Sequence, residues 1–277
     1  MEGPAEGGRL ERKTDSIAAE QQLRWAGLEA GMHALEVGCG TGAVTRVMAR
    51  VAAPGTVVGV DQSVRRLTQA HALATSTGLS ITLVGAEATC LPFKTHEFDY
   101  SWSRFLFEYL PHPDRALAEL VRVTRRRGIV AVADLDGQME QFYPLGNRLE
   151  TTLQEGLREL RRTGFDPHIG RKLYHLFHRA GLEEVAVQVH PYQVYSGGVP
   201  EQEWPNWVSK VTTSAAVLVE RTGDRGRWEE FRDEFLAHIR RPDVFYYCTL
   251  LVVRGRVPLS APPEASGLER EPSGIEP

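Results

Sequence analysis

Short apolar runs alternate along this chain with longer segments in which apolar residues recur every three or four positions. The short runs have the length and composition of buried strands and lie at residues 33–37, 56–60, 80–84, 98–103 and 128–135. After the first of them, Val44, Val47 and Val51 have the spacing of one face of a helix. Strands that alternate with helices form a parallel sheet with helices on both faces.

The pattern changes after the fifth predicted strand. Two insertions that contain several aromatic residues, 137–167 and 191–243, flank a predicted sixth strand at residues 184–190, and a long last strand follows at 244–257. We predict that the insertions form a lid over a small-molecule pocket, the alternative being that they only thicken the core. The predicted fold is α/β, a Rossmann-like, doubly wound and mostly parallel seven-stranded sheet with one reversed strand.

The two ends of the chain differ in composition from the part between them. Residues 1–9 are rich in glycine and glutamate, and residues 258–277 in proline, serine, glycine and glutamate. Neither segment offers apolar surface to bury, so we expect both to be disordered. The predicted domain therefore covers residues 10–257.

Composition and charge narrow the possible partners. The net charge of −4 gives no sign of the basic surface that binds nucleic acid, and the one dense basic run, Arg125-Arg126-Arg127, is expected to close a helix. Three separated cysteines predict neither a disulfide framework nor a zinc site. Without an apolar stretch of about 20 residues or a signal peptide, we expect a cytoplasmic protein with no membrane partner. A homodimer is left open.

The strongest chemical signal is a glycine-rich turn between the first strand and the first helix of the sheet. It reads Glu36-Val-Gly-Cys-Gly-Thr-Gly42, and glycines let a backbone approach a ligand closely. Gly38, Gly40 and Asp61 also satisfy a loose dinucleotide fingerprint. Glu36 argues against that alternative, because a carboxylate there repels a pyrophosphate but can face an ammonium group.

Further motifs follow this turn in a fixed order, and together they resemble the class I methyltransferases that depend on S-adenosylmethionine (SAM). The similarity is greatest to the branch of ubiquinone-biosynthesis-like and natural-product methyltransferases and covers roughly residues 30–135. The motifs are Glu36–Gly42, Gly59–Ser63, Glu87-Ala88, Leu91–Phe93, Phe98-Asp99 and Ser103–Leu110. Two features depart from the family: Arg126-Arg127-Gly128 replaces its Pro-Gly-Gly turn, and the Asn-Pro-Pro-Tyr-type motif of enzymes that methylate nucleic-acid amino groups is missing.

The resemblance implies SAM as cofactor and assigns residues to its parts. Glu36 faces the methionine ammonium, and Asp61 accepts hydrogen bonds from the ribose hydroxyls. The implied cofactor-binding residues are Glu36, Gly38, Cys39, Gly40, Asp61, Gln62, Ala86, Glu87, Ala88 and Ser103. Of these, Glu87 departs from the usual Asp at its position.

Acceptor and base residues are harder to assign from the sequence. The predicted acceptor contacts are Arg104, Phe105, Tyr143 and Tyr192. A general base is needed only if the acceptor must lose a proton. Candidates for that base are Glu108, His112, Asp134, Asp136 and Tyr143. Three histidines, His168, His175 and His178, lack the acidic neighbours that would favour a metal site, so none is predicted.

The predicted function is SAM-dependent methylation of an O, N or C atom of a small molecule, in secondary metabolism. The aromatic insertions favour this function over methylation of protein or RNA. A third possibility is a SAM-binding protein of this fold with another activity, because intact cofactor motifs do not fix the reaction.

Overall fold

One sheet of eight strands organises the molecule in the computed structural model, which describes residue 11 and residues 14–260. The strands are β1 (His33–Val37), β2 (Thr56–Asp61), β3 (Thr82–Gly85), β4 (Phe98–Arg104), β5 (Thr124–Asp136), β6 (Phe142–Tyr143), β7 (Glu183–Ser196) and β8 (Phe245–Arg256). Their order in the sheet is β3-β2-β1-β4-β5-β8-β6, and β7 also pairs with β8. Strands β1 to β5 pair in parallel, and β8 is antiparallel to each of its neighbours. The mostly parallel sheet and the reversed last strand are thus confirmed.

The predicted count of seven strands was wrong by one. Strand β8 extends beyond the end of β5, and its first residues pair instead with β6, Phe142 with Tyr246 and Tyr143 with Phe245. A two-residue strand is too short to produce an alternating pattern, so this strand could not be recognised from the sequence.

Helices cover both faces of the sheet. They are α1 (Ser16–Trp25), α2 (Ala43–Ala52), α3 (Val64–Ser76), α4 (Pro113–Val123), α5 (Asn147–Arg161), α6 (Ile169–Arg179), α7 (Trp204–Thr222) and α8 (Arg225–His238). The face that we call the α1 face packs under α1, α2, α5, α7 and α8, with Trp102 and Leu250 among its buried side chains. The opposite face, with Val37 and Val132, packs under α4 and α6.

The helices of the two predicted insertions form one packed group. Gly156 on α5 faces Trp228 on α8 so closely that a Cβ atom there would lie 3.1 Å from the indole ring. Phe142 stacks on Tyr246 with 4.2 Å between ring centroids and meets Trp207 of α7 edge-on. These contacts attach the group to the extension of the sheet by β6 and β8.

The second insertion begins later than predicted. Strand β7 continues to Ser196, so Tyr192 and Tyr195 lie on a strand. The pairing of β7 with β8 shifts register between Pro191 and Gln193, because proline has no N–H to donate to the ladder. Alternation from His190 places Tyr192 on the α1 face, and the shift brings Gln193 and Tyr195, which pair with Cys248 and Tyr246, to the same face.

The basic run of residues 125–127 does not close a helix. Helix α4 ends at Val123, and the three arginines belong to the exposed start of β5. Arg125 lies 2.5 Å from the carboxylate of Asp99 and Arg127 lies 2.9 Å from that of Glu184. Acidic partners therefore neutralise two of these charges.

The predicted disordered segment at residues 1–9 lies outside the described residues, as does all but the start of the segment at 258–277. Residues 258–260 are described, and there Pro258 is buried and the Arg126 guanidinium donates hydrogen bonds to the carbonyl oxygens of Pro258 and Leu259. The predicted domain limits stay predictions. Within residues 14–260 no helix combines the length and the apolar character that crossing a membrane requires.

Candidate cofactor and acceptor site

Four neighbouring strands end at the same edge of the sheet. In this order of strands, Val37 lies between Val60 of β2 and Ser103 of β4, and Asp61 lies beside Gly85 of β3. Ligands of doubly wound sheets bind at the carboxyl ends of the strands. The strand pairing therefore brings all the predicted cofactor-binding residues to one edge, namely Glu36, Gly38, Cys39, Gly40, Asp61, Gln62, Ala86, Glu87, Ala88 and Ser103.

The glycine turn has a backbone that other residues rarely adopt. The φ angles of Gly38 and Gly40 are 79° and 55°. At Gly38 a Cβ atom would also lie 2.9 Å from the Leu106 side chain, so the loop after β4 packs directly on the turn. Cys39 is buried beside Gly59, which supports its interpretation as a small residue in a tight turn.

Asp61 fixes this turn from the neighbouring strand. One carboxylate oxygen accepts a hydrogen bond from the Gly40 N–H and the other accepts one from the Ser63 N–H, both at 2.9 Å. A carboxylate oxygen can accept two hydrogen bonds, so each oxygen keeps capacity for a ligand hydroxyl. The structure thus gives Asp61 a structural role that the sequence did not reveal and leaves room for the predicted ribose contacts.

Glu36 is a buried carboxylate beside the glycine turn. Its side chain is 3% exposed and accepts a hydrogen bond from the Thr45 hydroxyl of α2. Burial raises the pKa of Glu36 to about 7, against the lowering effects of the Thr45 hydrogen bond and the Arg104 charge. A cation placed against this carboxylate would offset the cost of its burial.

The remaining cofactor candidates have fewer contacts. Gln62 and Glu87 are exposed, and the backbone of Glu87 pairs with that of Cys90 in an isolated antiparallel β-bridge. Ser103 is fully buried, and its hydroxyl has no hydrogen-bond partner among the described residues. Their roles stay predictions.

Three of the four predicted acceptor residues meet in one corner. The rings of Phe105 and Tyr192 lie 5.2 Å apart, and the Arg104 guanidinium lies 4.4 Å from the centre of the Phe105 ring. The fourth, Tyr143, is elsewhere: it is 76% exposed beside Phe245. Successive side chains of a strand point to opposite faces, and since Phe142 fills the α1-face core, Tyr143 points away from the corner. Its assignment to the acceptor site is corrected accordingly.

The base candidates occupy different environments. Asp134 is fully buried and accepts hydrogen bonds from the N–H groups of Leu135 and Glu108, at 2.8 and 3.2 Å, which hold the turn after β4. Burial and the nearby Glu108 raise the pKa of Asp134 well above its usual value. His112 is exposed before α4, and Asp136 is paired with Arg171 at 2.7 Å.

A set of polar groups on the α1 face was missed at the sequence level, with the exception of Arg104. Each has a buried polar side-chain atom without a hydrogen-bond partner among the described residues: Gln22, Tyr100, Trp102, Arg104, Gln188, His190 and Arg254. A signal was present, because Tyr100, Trp102 and Arg104 alternate along one strand and Gln188 and His190 along another. Polar atoms that recur on the buried face of a strand indicate a ligand or a solvated chamber.

Comparison with known proteins agrees with this geometry. A family model described as a methyltransferase domain matches residues 35–132. The demethylmenaquinone methyltransferase of Staphylococcus saprophyticus is 27% identical over 212 residues, which are 69% of this chain and 88% of the relative. The chain contains a methyltransferase domain and is a SAM-dependent methyltransferase.

Solved structures share the fold of this methyltransferase. A protein of Bacillus halodurans provisionally assigned as a methyltransferase has a TM-score of 0.60 and 18% identity, covering 87% of this chain and 99% of its own. The phosphoethanolamine N-methyltransferase 2 of Haemonchus contortus, solved with SAM, has a TM-score of 0.54 and 14% identity, covering 88% of this chain and 52% of its own.

The residues at the strand edge fit SAM. Glu36 is a buried carboxylate suited to an ammonium, and Asp61 retains acceptor capacity for hydroxyls. The glycines of the turn have positive φ angles, and because glycine has no Cβ atom, the cofactor can approach the backbone of the turn closely. SAM, when bound, supplies an activated methyl group on its sulfonium.

Proposed function

We propose that this methyltransferase transfers the methyl group of SAM to an oxygen, nitrogen or carbon atom of a small molecule. The observation that carries the proposal is the corner of Arg104, Phe105 and Tyr192. Two rings and a guanidinium face one another there, and Arg104 is close enough to Glu36 to lower the pKa of its carboxyl. The corner thus lies beside the methionine end of the cofactor, where the methyl group is transferred.

The buried polar atoms of the α1 face support an acceptor with hydrogen-bonding groups. Burial lowers the pKa of His190, and the positive charge of Arg104 lowers it further. The two side chains are therefore near each other. A small ring that carries oxygen or nitrogen atoms can satisfy several of these groups at once. Large apolar walls with a few polar groups are typical of small-molecule sites.

The curated relatives point in the same direction. Their name gives demethylmenaquinone, a quinone, as acceptor. A flat ring of this kind stacks well against aromatic side chains, which contribute about 0.5–1.5 kcal/mol beyond the buried area. We extend this to flat or apolar acceptors in general, including natural products of secondary metabolism.

The chain's own contribution to the reaction is mainly one of position. Phe105 and Tyr192 hold the acceptor, Glu36 and Asp61 orient the donor, and burial excludes water. For an acceptor that must lose a proton, Asp134 is the base we favour, because burial and the nearby Glu108 raise its pKa well above the usual value and make its carboxylate a stronger proton acceptor than an ordinary aspartate. Helices α5, α7 and α8 form the lid that closes over the acceptor.

The proposal is tested with methyl-labelled SAM. The protein is incubated with hydroquinones, phenols and amines, and in parallel with a cell extract separated into small-molecule, protein and RNA fractions. We expect label in small molecules, and much less of it with the Asp61→Ala variant at the same SAM concentration. Label confined to protein or RNA would contradict the proposal and leave the methyltransferase assignment intact.

A further inference from the structure

Two arginines lie near Glu36, and they differ in their surroundings. Both affect the pKa of its carboxyl, and both are buried, Arg46 to 9% exposure and Arg104 to 8%. The Arg46 guanidinium donates to the Thr41 carbonyl oxygen at 3.0 Å and to the Glu11 carboxylate at 2.5 Å. Arg46 therefore has an internal anion.

Arg104 has no such partner. No ion pair joins it to a carboxylate in residues 14–260 or Glu11, and its Nε has no hydrogen-bond acceptor there. Burial lowers the pKa of the guanidinium, which shows that the surroundings destabilise the charge. A buried cation without an anion is costly, and a ligand that brings the anion offsets the cost.

We propose that Arg104 is the carboxylate-binding residue of this site. A guanidinium presents parallel N–H groups that match the two oxygens of a carboxylate. Arg104 stands at the end of β4, on the same face as Glu36 of the adjacent strand β1. The two side chains offer opposite charges to one ligand region without forming an ion pair with each other.

Two ligands can bring the carboxylate. The first is SAM, whose methionine end carries an ammonium and a carboxylate on one carbon; Glu36 then takes the ammonium and Arg104 the carboxylate. The second is an acid-bearing aromatic acceptor that lies against Phe105 and Tyr192. The second source rests on the proposed small-molecule function, whereas the first does not, so failure of the acceptor screen leaves the first source testable.

Calorimetry on the full chain distinguishes the sources. SAM and decarboxylated SAM are titrated into the parent, Arg104→Gln, Arg104→Lys and, as a control of equal charge change, Arg50→Gln on the exposed end of α2. If the cofactor supplies the carboxylate, Arg104→Gln weakens SAM binding at least about tenfold and leaves decarboxylated SAM unchanged. Arg104→Lys recovers part of the loss, and Arg50→Gln binds like the parent.

A second arm uses the protein saturated with S-adenosylhomocysteine, and benzoate and benzamide as probes in ligand-observed NMR. If the acceptor supplies the carboxylate, Arg104→Gln keeps its SAM affinity and loses the benzoate signal, while benzamide is unaffected. Melting temperatures verify folding, and Arg104→Lys serves if Arg104→Gln does not fold. Unchanged binding of SAM and benzoate, or equal loss of SAM and decarboxylated SAM, would overturn the proposal.

Discussion

The Thr45 hydroxyl donates a hydrogen bond to the buried carboxylate of Glu36, which joins the first turn of α2 to the end of β1. This bond stabilises the charged form of Glu36 and lowers its pKa. Burial destabilises the charged form more strongly, so the pKa is raised to about 7. Glu36 is therefore close to half protonated at neutral pH, and a cationic ligand shifts it to the carboxylate.

Binding of SAM should consequently depend on pH. A protonated Glu36 does not attract the methionine ammonium, so SAM affinity should fall as the pH falls below about 7, approaching about tenfold per pH unit. Calorimetry in buffers of different ionisation enthalpy measures both the affinity and the proton released on binding. Glu36→Gln should bind weakly with no pH dependence between about pH 5 and 7, and a flat profile for the parent would contradict the role of Glu36.

The same raised pKa should affect the stability of the ligand-free protein. The folded state holds the Glu36 proton more tightly than the unfolded chain, whose pKa is 4.5. The contribution of Glu36 to the free energy of unfolding should therefore be greatest below pH 4.5. It should fall as the pH rises from there to about 7, by up to about 1.4 kcal/mol per pH unit. Urea unfolding of the parent and of Glu36→Gln checks this, because the glutamine variant should lack this contribution to the slope.

Asp61 should contribute both to SAM binding and to the glycine turn. Asp61→Ala removes the acceptor for the ribose hydroxyls and for the Gly40 N–H, so SAM affinity should fall by roughly 1.5–3 kcal/mol and the melting temperature should also decrease. Asp61→Asn keeps one acceptor oxygen and should lose less. The exposed Asp233→Ala is the control, and SAM binding by Asp61→Ala equal to that of the parent would refute the ribose assignment.

The lid proposal predicts a change in amide hydrogen exchange. Residues 137–167 and 197–243 should exchange faster than β1 to β5 in the ligand-free protein and slow when S-adenosylhomocysteine binds. Mass spectrometry of peptides from both segments measures this. Because α5 and α8 are in contact at Gly156 and Trp228, the two segments should respond together. Exchange that ligand leaves unchanged in both would mean that the helices only complete the core.

How far the sequence could predict the molecule depends on the range of the interactions involved. Strand β1 was predicted to the residue, since a strand buried on both faces has a local apolar signature. The bulge that brings Gln193 to the α1 face depends on pairing with Cys248 of β8, 55 residues later, and no local pattern encodes it. Likewise, the contrast between Arg46 and Arg104 rests on which acids lie near each in the folded chain.

Phe105 provides the most direct test of the acceptor site. It is half-buried, its ring contacts Tyr192 and the Arg104 guanidinium, and its φ of 55° places it at a sharp turn after β4. If the ring holds the acceptor, Phe105→Ala should raise KM or lower kcat for an acceptor found with labelled SAM, while SAM affinity stays the same. The melting temperature should change little, because the ring is only partly buried and its removal opens a smaller cavity than the loss of a core ring would.

Phe231→Ala on α8 is the matched control. That ring is 6% exposed and stacks on Phe235, so its loss should lower the melting temperature by several degrees, as expected for about 3–5 kcal/mol, and leave SAM binding intact. Were Phe105→Ala to behave like this control, with normal kinetics at low temperature, Phe105 would be a core residue. The polar atoms of the α1 face, rather than the aromatic pair, would then determine the orientation of the acceptor.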